Sequence, residues 1–224
     1  MAKYNVMKFD SLDSTQIYAR NLVAIGEAAD HMAIVAAVQS AGIGRRGGQW
    51  VSETGNLYVS VILDDVRDAR AAYAVGLAVS DALSEFGVAN KIKWPNDVRT
   101  TRGKISGSLV ETAGEFMIIG VGINIDSAPE IKAYKTTCAL DEGAKVYPDE
   151  VLDVLLARLD FWLDALRGGG WEQVRDEWLA RAEHLGCAIT YRGAADKFVG
   201  VADDGALVLA SGARVLSADA EIVW

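Results

Sequence analysis

"KISGSLVETAGEFMIIGVGINID", residues 104–126, decides how this chain folds. Two apolar-rich runs, 104–111 and 116–121, are separated only by Thr112, Ala113, Gly114 and Glu115, and that spacing predicts a β-hairpin. A hairpin couples its strands antiparallel, whereas a doubly wound sheet needs a crossover helix between consecutive strands. The stretch therefore predicts an α+β fold with a mixed, largely antiparallel sheet and flanking helices.

Outward from the hairpin, apolar runs at 32–38, 57–63 and 89–94 supply further strands. Helical spacing appears in three places. Residues 13–26 open on the N-cap types Asp13, Ser14 and Thr15 and continue with Tyr18, Leu22 and Ile25; residues 68–86 carry Ala72, Val75, Val79, Leu83 and Phe86; residues 149–166 carry Leu152, Leu155, Leu159, Trp162 and Leu166. A short helix around Trp171, Val174 and Trp178 follows. Beyond it the rhythm changes to four brief strands, "CAITY", "KFVGV", "ALVLA" and "AEIVW", split by turn-forming stretches, which predicts a small C-terminal β-barrel. The expected division is residues 1–183 and 184–224.

Composition narrows the function. The chain has 224 residues, with 22 basic and 31 acidic side chains and a net charge of −9. That balance argues against a broad nucleic-acid or membrane footprint and makes any local basic cluster informative. Cys138 and Cys187 lack metal-ligand spacing, and no signal-peptide core or membrane-length apolar run is visible, so the expectation is a cytoplasmic protein with reduced thiols. One basic cluster stands out in "AGIGRRGGQW", residues 41–50, where glycines surround Arg45 and Arg46. Gly42, Gly44 and Gly47 spell a dinucleotide fingerprint, but Gly48, Gln49 and Trp50 lead into a turn and a strand instead of a helix, so the Rossmann reading fails. A loose backbone beside planar guanidinium donors suits a carboxylate or phosphate.

Three more stretches accompany that loop: "DSLDSTQ" near the start, "KIKWPNDV" at 91–98, and the hairpin with its Lys104, Gly107 and Asn124. In this order, and with "KWPND" followed by K-x-x-G-x-L-V-E, the chain resembles the biotin protein ligases over its whole length. The resemblance implies a class II synthetase-like catalytic domain with a small C-terminal barrel, and a two-step reaction that makes biotinyl-adenylate from biotin and ATP and passes biotin to a lysine of a carrier domain. It implies no repressor activity, since the sequence starts directly at the catalytic domain. A homodimer is an open expectation.

By matching motifs, Ser14, Thr15, Gln39, Gly42, Arg45, Lys104, Gly107 and Gly120 would line the biotin pocket, and Arg45, Arg46, Trp50, Asn96, Asp97, Lys104, Asn124 and Trp178 the ATP side. Arg45, Lys104 and Asp97 would carry the chemistry, with Asp97 nearest a magnesium ion accompanying ATP. Taken singly, these residues have plainer readings: Ser14 and Thr15 as helix caps, Asn96 and Asp97 as a turn after Pro95, Lys104 as a strand end, and Trp178 as core. The chain departs from the family loop at Ile43 and Gly48, where cations are usual. Two other functions remain in view: a lipoate- or octanoate-type acyl transferase of the same fold, and a non-catalytic biotin-binding sensor.

Overall fold

The computed structural model describes residues 4–64, 66, 68–216 and 222–223. The predicted hairpin forms from β6 (Lys104–Ala113) and β7 (Phe116–Ile123), longer than expected at both ends, and Gly114 takes the turn with a φ of 56°. It lies inside a seven-stranded sheet. The other members are β1 (Asn5–Phe9), β2 (Met32–Ala36), β3 (Leu57–Leu63), β4 (Lys91–Lys93) and β5 (Asp97–Arg99), in the order β1-β2-β3-β7-β6-β5-β4. Every neighbouring pair is antiparallel except β1 with β2.

Strand β1 escaped the sequence reading because its side chains are mostly exposed at the sheet edge, leaving no apolar alternation to detect. The expected strand at 89–94 is the shorter β4, and a further short strand, β5, follows it around Trp94, Pro95 and Asn96, with a cis Trp94–Pro95 peptide.

Period-2 alternation gives the sheet two unlike faces. On one, Leu57, Val59, Val61, Leu63, Met117, Ile119, Val121 and Ile123 join the main core with α2 (Ala71–Glu85), α3 (Pro148–Arg167) and α4 (Trp171–Arg181). On the other, Met32, Ile34, Ile62 and Ile118 pack with Ala19 of α1 (Thr15–Ala24) in a smaller core. Beside that smaller core the second face is left for a cavity.

After α4 come β8 (Ala188–Tyr191), β9 (Ala194–Val201), β10 (Leu207–Leu209), β11 (Arg214–Val215) and β12 (Ile222–Val223), an antiparallel sheet in the order β11-β10-β9-β8-β12. Its strand β11 falls where a turn was expected. "AEIVW" lies only partly within the described residues. The small sheet shares the main core: Phe198 meets Trp178 ring to ring at 6.5 Å, and the Tyr73 hydroxyl donates to the Gly205 carbonyl at 2.6 Å. Among the described residues no helix is long and apolar enough to cross a membrane.

Candidate active site

Two ligand-sized requirements meet at one cavity of about 230 Å³ on the α1 face of the sheet: a bare floor and a charged mouth. The floor is bare because glycine recurs where neighbouring strands face each other. Gly107 of β6 pairs with Gly122 of β7, and Leu109 pairs with Gly120. A Cβ on Gly120 would come within 2.5 Å of Gln16 Oε1, and one on Gly122 within 2.5 Å of the Trp50 indole. The hollow therefore depends on missing side chains.

The closed end is polar and buried. Ser14, Thr15, Gln16 and Ser60 are all at most 4% exposed. Ser14 begins α1 in an extended conformation, which leaves the Thr15 backbone N–H without a helical partner; it donates to Gln39 Oε1 at 2.8 Å. The Thr15 hydroxyl donates to the same oxygen at 3.2 Å, and Gln39 Nε2 donates to Ser52 Oγ at 2.8 Å. Ser60 Oγ lies 2.9 Å from both Thr15 Oγ1 and Gln16 Oε1. Capping and site-building are thus one arrangement here.

The mouth is cationic. Loop 42–50 closes on itself through Gly44 N–H to the Gly48 carbonyl at 2.7 Å and Trp50 N–H to the Gly42 carbonyl at 2.8 Å. It directs Arg45 inward, where Nη1 donates to Asn96 Oδ1 at 3.2 Å while Asn96 Nδ2 donates to the Ser108 carbonyl at 2.9 Å. Burial, then the neighbouring Arg46, push the Arg45 pKa down, partly offset by Asp97; an arginine remains charged regardless, so an anion in the cavity relieves an electrostatic cost. Lys104 Nζ sits 2.7 Å from Asp97 Oδ1 and within 5.3 and 5.6 Å of the Trp50 and Tyr134 ring centroids. Its backbone is clamped too, since its N–H donates to the Lys135 carbonyl at 2.9 Å and its carbonyl accepts from Thr137 N–H at 3.0 Å. A Cβ on Gly103 would lie 2.6 Å from the Lys135 carbonyl, so glycine is needed for that close approach.

Of the residues singled out from sequence, Ser14, Thr15, Gln39, Arg45, Trp50, Asn96, Asp97, Lys104, Gly107 and Gly120 line this cavity. Gly42 lies just behind it, where a side chain would strike Ser52, Gln39 and the Trp50 carbonyl. Asn124 is buried beside it, next to Trp50, Lys104 and Tyr134; its Nδ2 donates to the Thr137 carbonyl at 3.0 Å, and its Oδ1 has no partner among the described residues. Arg46 is exposed on the outside of the loop, with a left-handed φ of 56°. Trp178 is not brought to the cavity: it is 1% exposed and packs 5.0 Å from the Tyr73 ring, because its helical spacing with Trp171 and Val174 faces the core.

Among the described residues, Asp97 is the only carboxylate lining the cavity, where it is engaged by Lys104, and no three His, Cys, Asp or Glu side chains cluster for a metal. Gln16, Ser60 and Tyr134 line the cavity without having been singled out. Ser60 had a signal, as the lone polar residue in the apolar run "LYVSVIL".

Residues 8–124 match the Biotin/lipoate A/B protein ligase family. That match covers the loop, "KWPND" and the hairpin. The chain belongs to this family. The share of the curated relatives' own length that the chain matches runs from 38% to 74%. The biotin--[acetyl-CoA-carboxylase] ligase of Paracoccus denitrificans is 35% identical over 177 residues, covering 71% of this chain and 74% of that protein. The biotin protein ligase from Aquifex aeolicus in complex with biotin and ATP superposes with a TM-score of 0.88 at 27% identity over 98% of both chains. The Leishmania major biotin protein ligase in complex with biotinyl-5-AMP gives a TM-score of 0.66 at 26% identity, over 96% of this chain and 98% of that one.

Proposed function

We propose that this family member is an ATP-dependent biotin ligase that forms biotinyl-5′-adenylate and transfers biotin to a lysine of a carboxyl carrier domain. One observation carries the choice of substrate: the closed end of the cavity is a buried hydrogen-bonding network, whereas its mouth holds Arg45 and Lys104. Such a cavity suits an acid with a polar, hydrogen-bonding head and a short chain between head and carboxylate. An octanoyl or lipoyl chain would bring methylenes against the polar groups of Thr15, Gln16 and Ser60 and make no hydrogen bond with them.

In the first step a biotin carboxylate oxygen attacks the α-phosphorus of ATP. A new P–O bond forms as the bond to pyrophosphate breaks. Two anions must approach, and Arg45 and Lys104 offset their repulsion and the charge building on the phosphoryl oxygens. Asp97 holds Lys104 at the mouth, and Asn96 holds Arg45. Asn124, whose buried carbonyl oxygen has no partner among the described residues, would accept from an exocyclic adenine amine. In the second step a neutral lysine ε-amine attacks the acyl carbon, AMP leaves with the C–O bond electrons, and the amine sheds its proton as the amide forms. A magnesium ion bound with ATP would neutralise phosphate charge; nothing above depends on this chain holding it.

Incubation with ATP, radiolabelled biotin and a carrier domain is expected to release pyrophosphate and label the carrier lysine. Labelling by octanoate or lipoate in place of biotin would overturn the reading in favour of the acyl transferase. Tight biotin binding without pyrophosphate release would favour the sensor.

A further inference from the structure

The cavity's hydrogen-bond network does not stop at its wall. Gln16 Nε2 donates to Glu111 Oε2 at 2.9 Å, and Glu111 is in turn gripped by Arg20, whose Nε donates to Oε2 at 3.0 Å and whose Nη2 donates to Oε1 at 2.6 Å. Gln16 and Arg20 stand one turn apart on α1, while Glu111 projects from β6 on the same sheet face as Gly107 and Leu109. Arg20 is partly exposed and is not among the cavity-lining residues.

An ionised carboxylate can only accept hydrogen bonds, so the amide end that faces Glu111 must be the NH2 group. The carbonyl end of Gln16 is thereby turned toward Ser60 and the cavity. Its oxygen has two lone pairs, of which Ser60 can use one. At the other side of Ser60, Thr15 gives its own proton to Gln39 and so also presents lone pairs. The chain of donors is consistent from end to end: Thr15 to Gln39, Gln39 to Ser52, and Ser52 to the Trp50 carbonyl at 3.1 Å.

We infer that the Arg20–Glu111 pair is a positioning device that sets the polarity of the cavity's closed end, fixing Gln16 so that it offers an acceptor to an N–H donor of the substrate head. This rests on the ligase reading above and deepens it. The pair selects a head that donates, such as a cyclic urea, over one that only accepts or makes no hydrogen bond. Replacing Glu111 with a group that can also donate removes the charged acceptor, leaves the Gln16 NH2 only the Ile118 carbonyl at 3.5 Å, and makes it easier for the amide to turn over.

The test is calorimetric titration with biotin and, separately, with ATP, plus steady-state pyrophosphate release, for wild type and for Glu111→Gln, below each protein's melting midpoint. Wild type must first bind biotin and release pyrophosphate; if it does neither, the ligase reading fails and not merely this inference. Glu111→Gln is expected to raise the biotin Kd and KM about 10-fold, the upper end for one neutral hydrogen bond, with kcat and the ATP KM nearly unchanged. The exchanged pair Gln16→Glu with Glu111→Gln restores an acceptor facing the cavity and is expected to recover part of that loss. A biotin affinity unaltered by Glu111→Gln, or an equal loss toward ATP and biotin, overturns the inference, as does an exchanged pair no better than the single variant.

Discussion

The two faces of β3 and β7 use the same strands for opposite ends. Toward α2 and α3, Leu57, Val59, Val61, Leu63, Met117, Ile119, Val121 and Ile123 are at most 5% exposed and close-packed. Toward α1, beside the small core of Ile62 and Ile118, the alternate positions hold Ser60, Gly120 and Gly122, and a cavity of about 230 Å³ takes the place of packing there. The first face is stabilised by burial, at about 1.5–3 kcal/mol per large apolar side chain. The second gives up that contribution. What it gains is a rigid floor, because its strands are fixed from behind by the core. Removing a side chain should therefore be costly on one face, and adding one costly on the other, in different observables.

The largest expected effect is at the mouth of the cavity. Lys104→Met removes a fixed cation and should cost about 3–4 kcal/mol of transition-state stabilisation, a fall of roughly 10²- to 10³-fold in kcat for pyrophosphate release, with the melting midpoint close to wild type. Retention of near-normal turnover would remove Lys104 from its role.

On the packed face, Ile119→Ala deletes part of a side chain that is fully buried and should destabilise the fold by about 2–5 kcal/mol in urea unfolding, while the biotin KM of the folded fraction stays within a factor of two or so. A change in KM without loss of stability would mean the faces are not independent.

Its neighbour Gly120→Ala should do the reverse. The added methyl meets Gln16 Oε1 at 2.5 Å, so the network must shift, and biotin affinity is expected to fall about 10- to 100-fold with a smaller loss of stability. Calorimetry and thermal melts on the same preparation separate the two.

The smallest effect concerns Ile43, which lines the mouth. Ile43→Arg adds a cation opposite an anionic intermediate and should slow adenylate release at least several-fold, consistent with about 1–3 kcal/mol for such a contact, without moving the melting midpoint appreciably. A chase experiment with preformed adenylate reads the rate, and an unchanged or faster release would show that residue 43 contributes nothing to retention.

Local pattern alone determined much of this protein. Helical spacing located α1, α2, α3 and α4 to within a few residues, the Gly114 turn declared the hairpin, and the order of short motifs pointed to the family. These features are local, so neighbours in sequence suffice to encode them. Tertiary structure decided the rest. Helical spacing reads Trp178 as core, as it is, but where Trp50 points could not be read from its neighbours in sequence: it lies over Gly107 and Gly122. Gln16, Ser60 and Glu111 come from α1, β3 and β6, and their hydrogen bonds span 44 and 95 positions of sequence. A hydrogen bond depends on distance and direction in space, and only the folding of α1 across the centre of the sheet brings these three side chains within reach of one another.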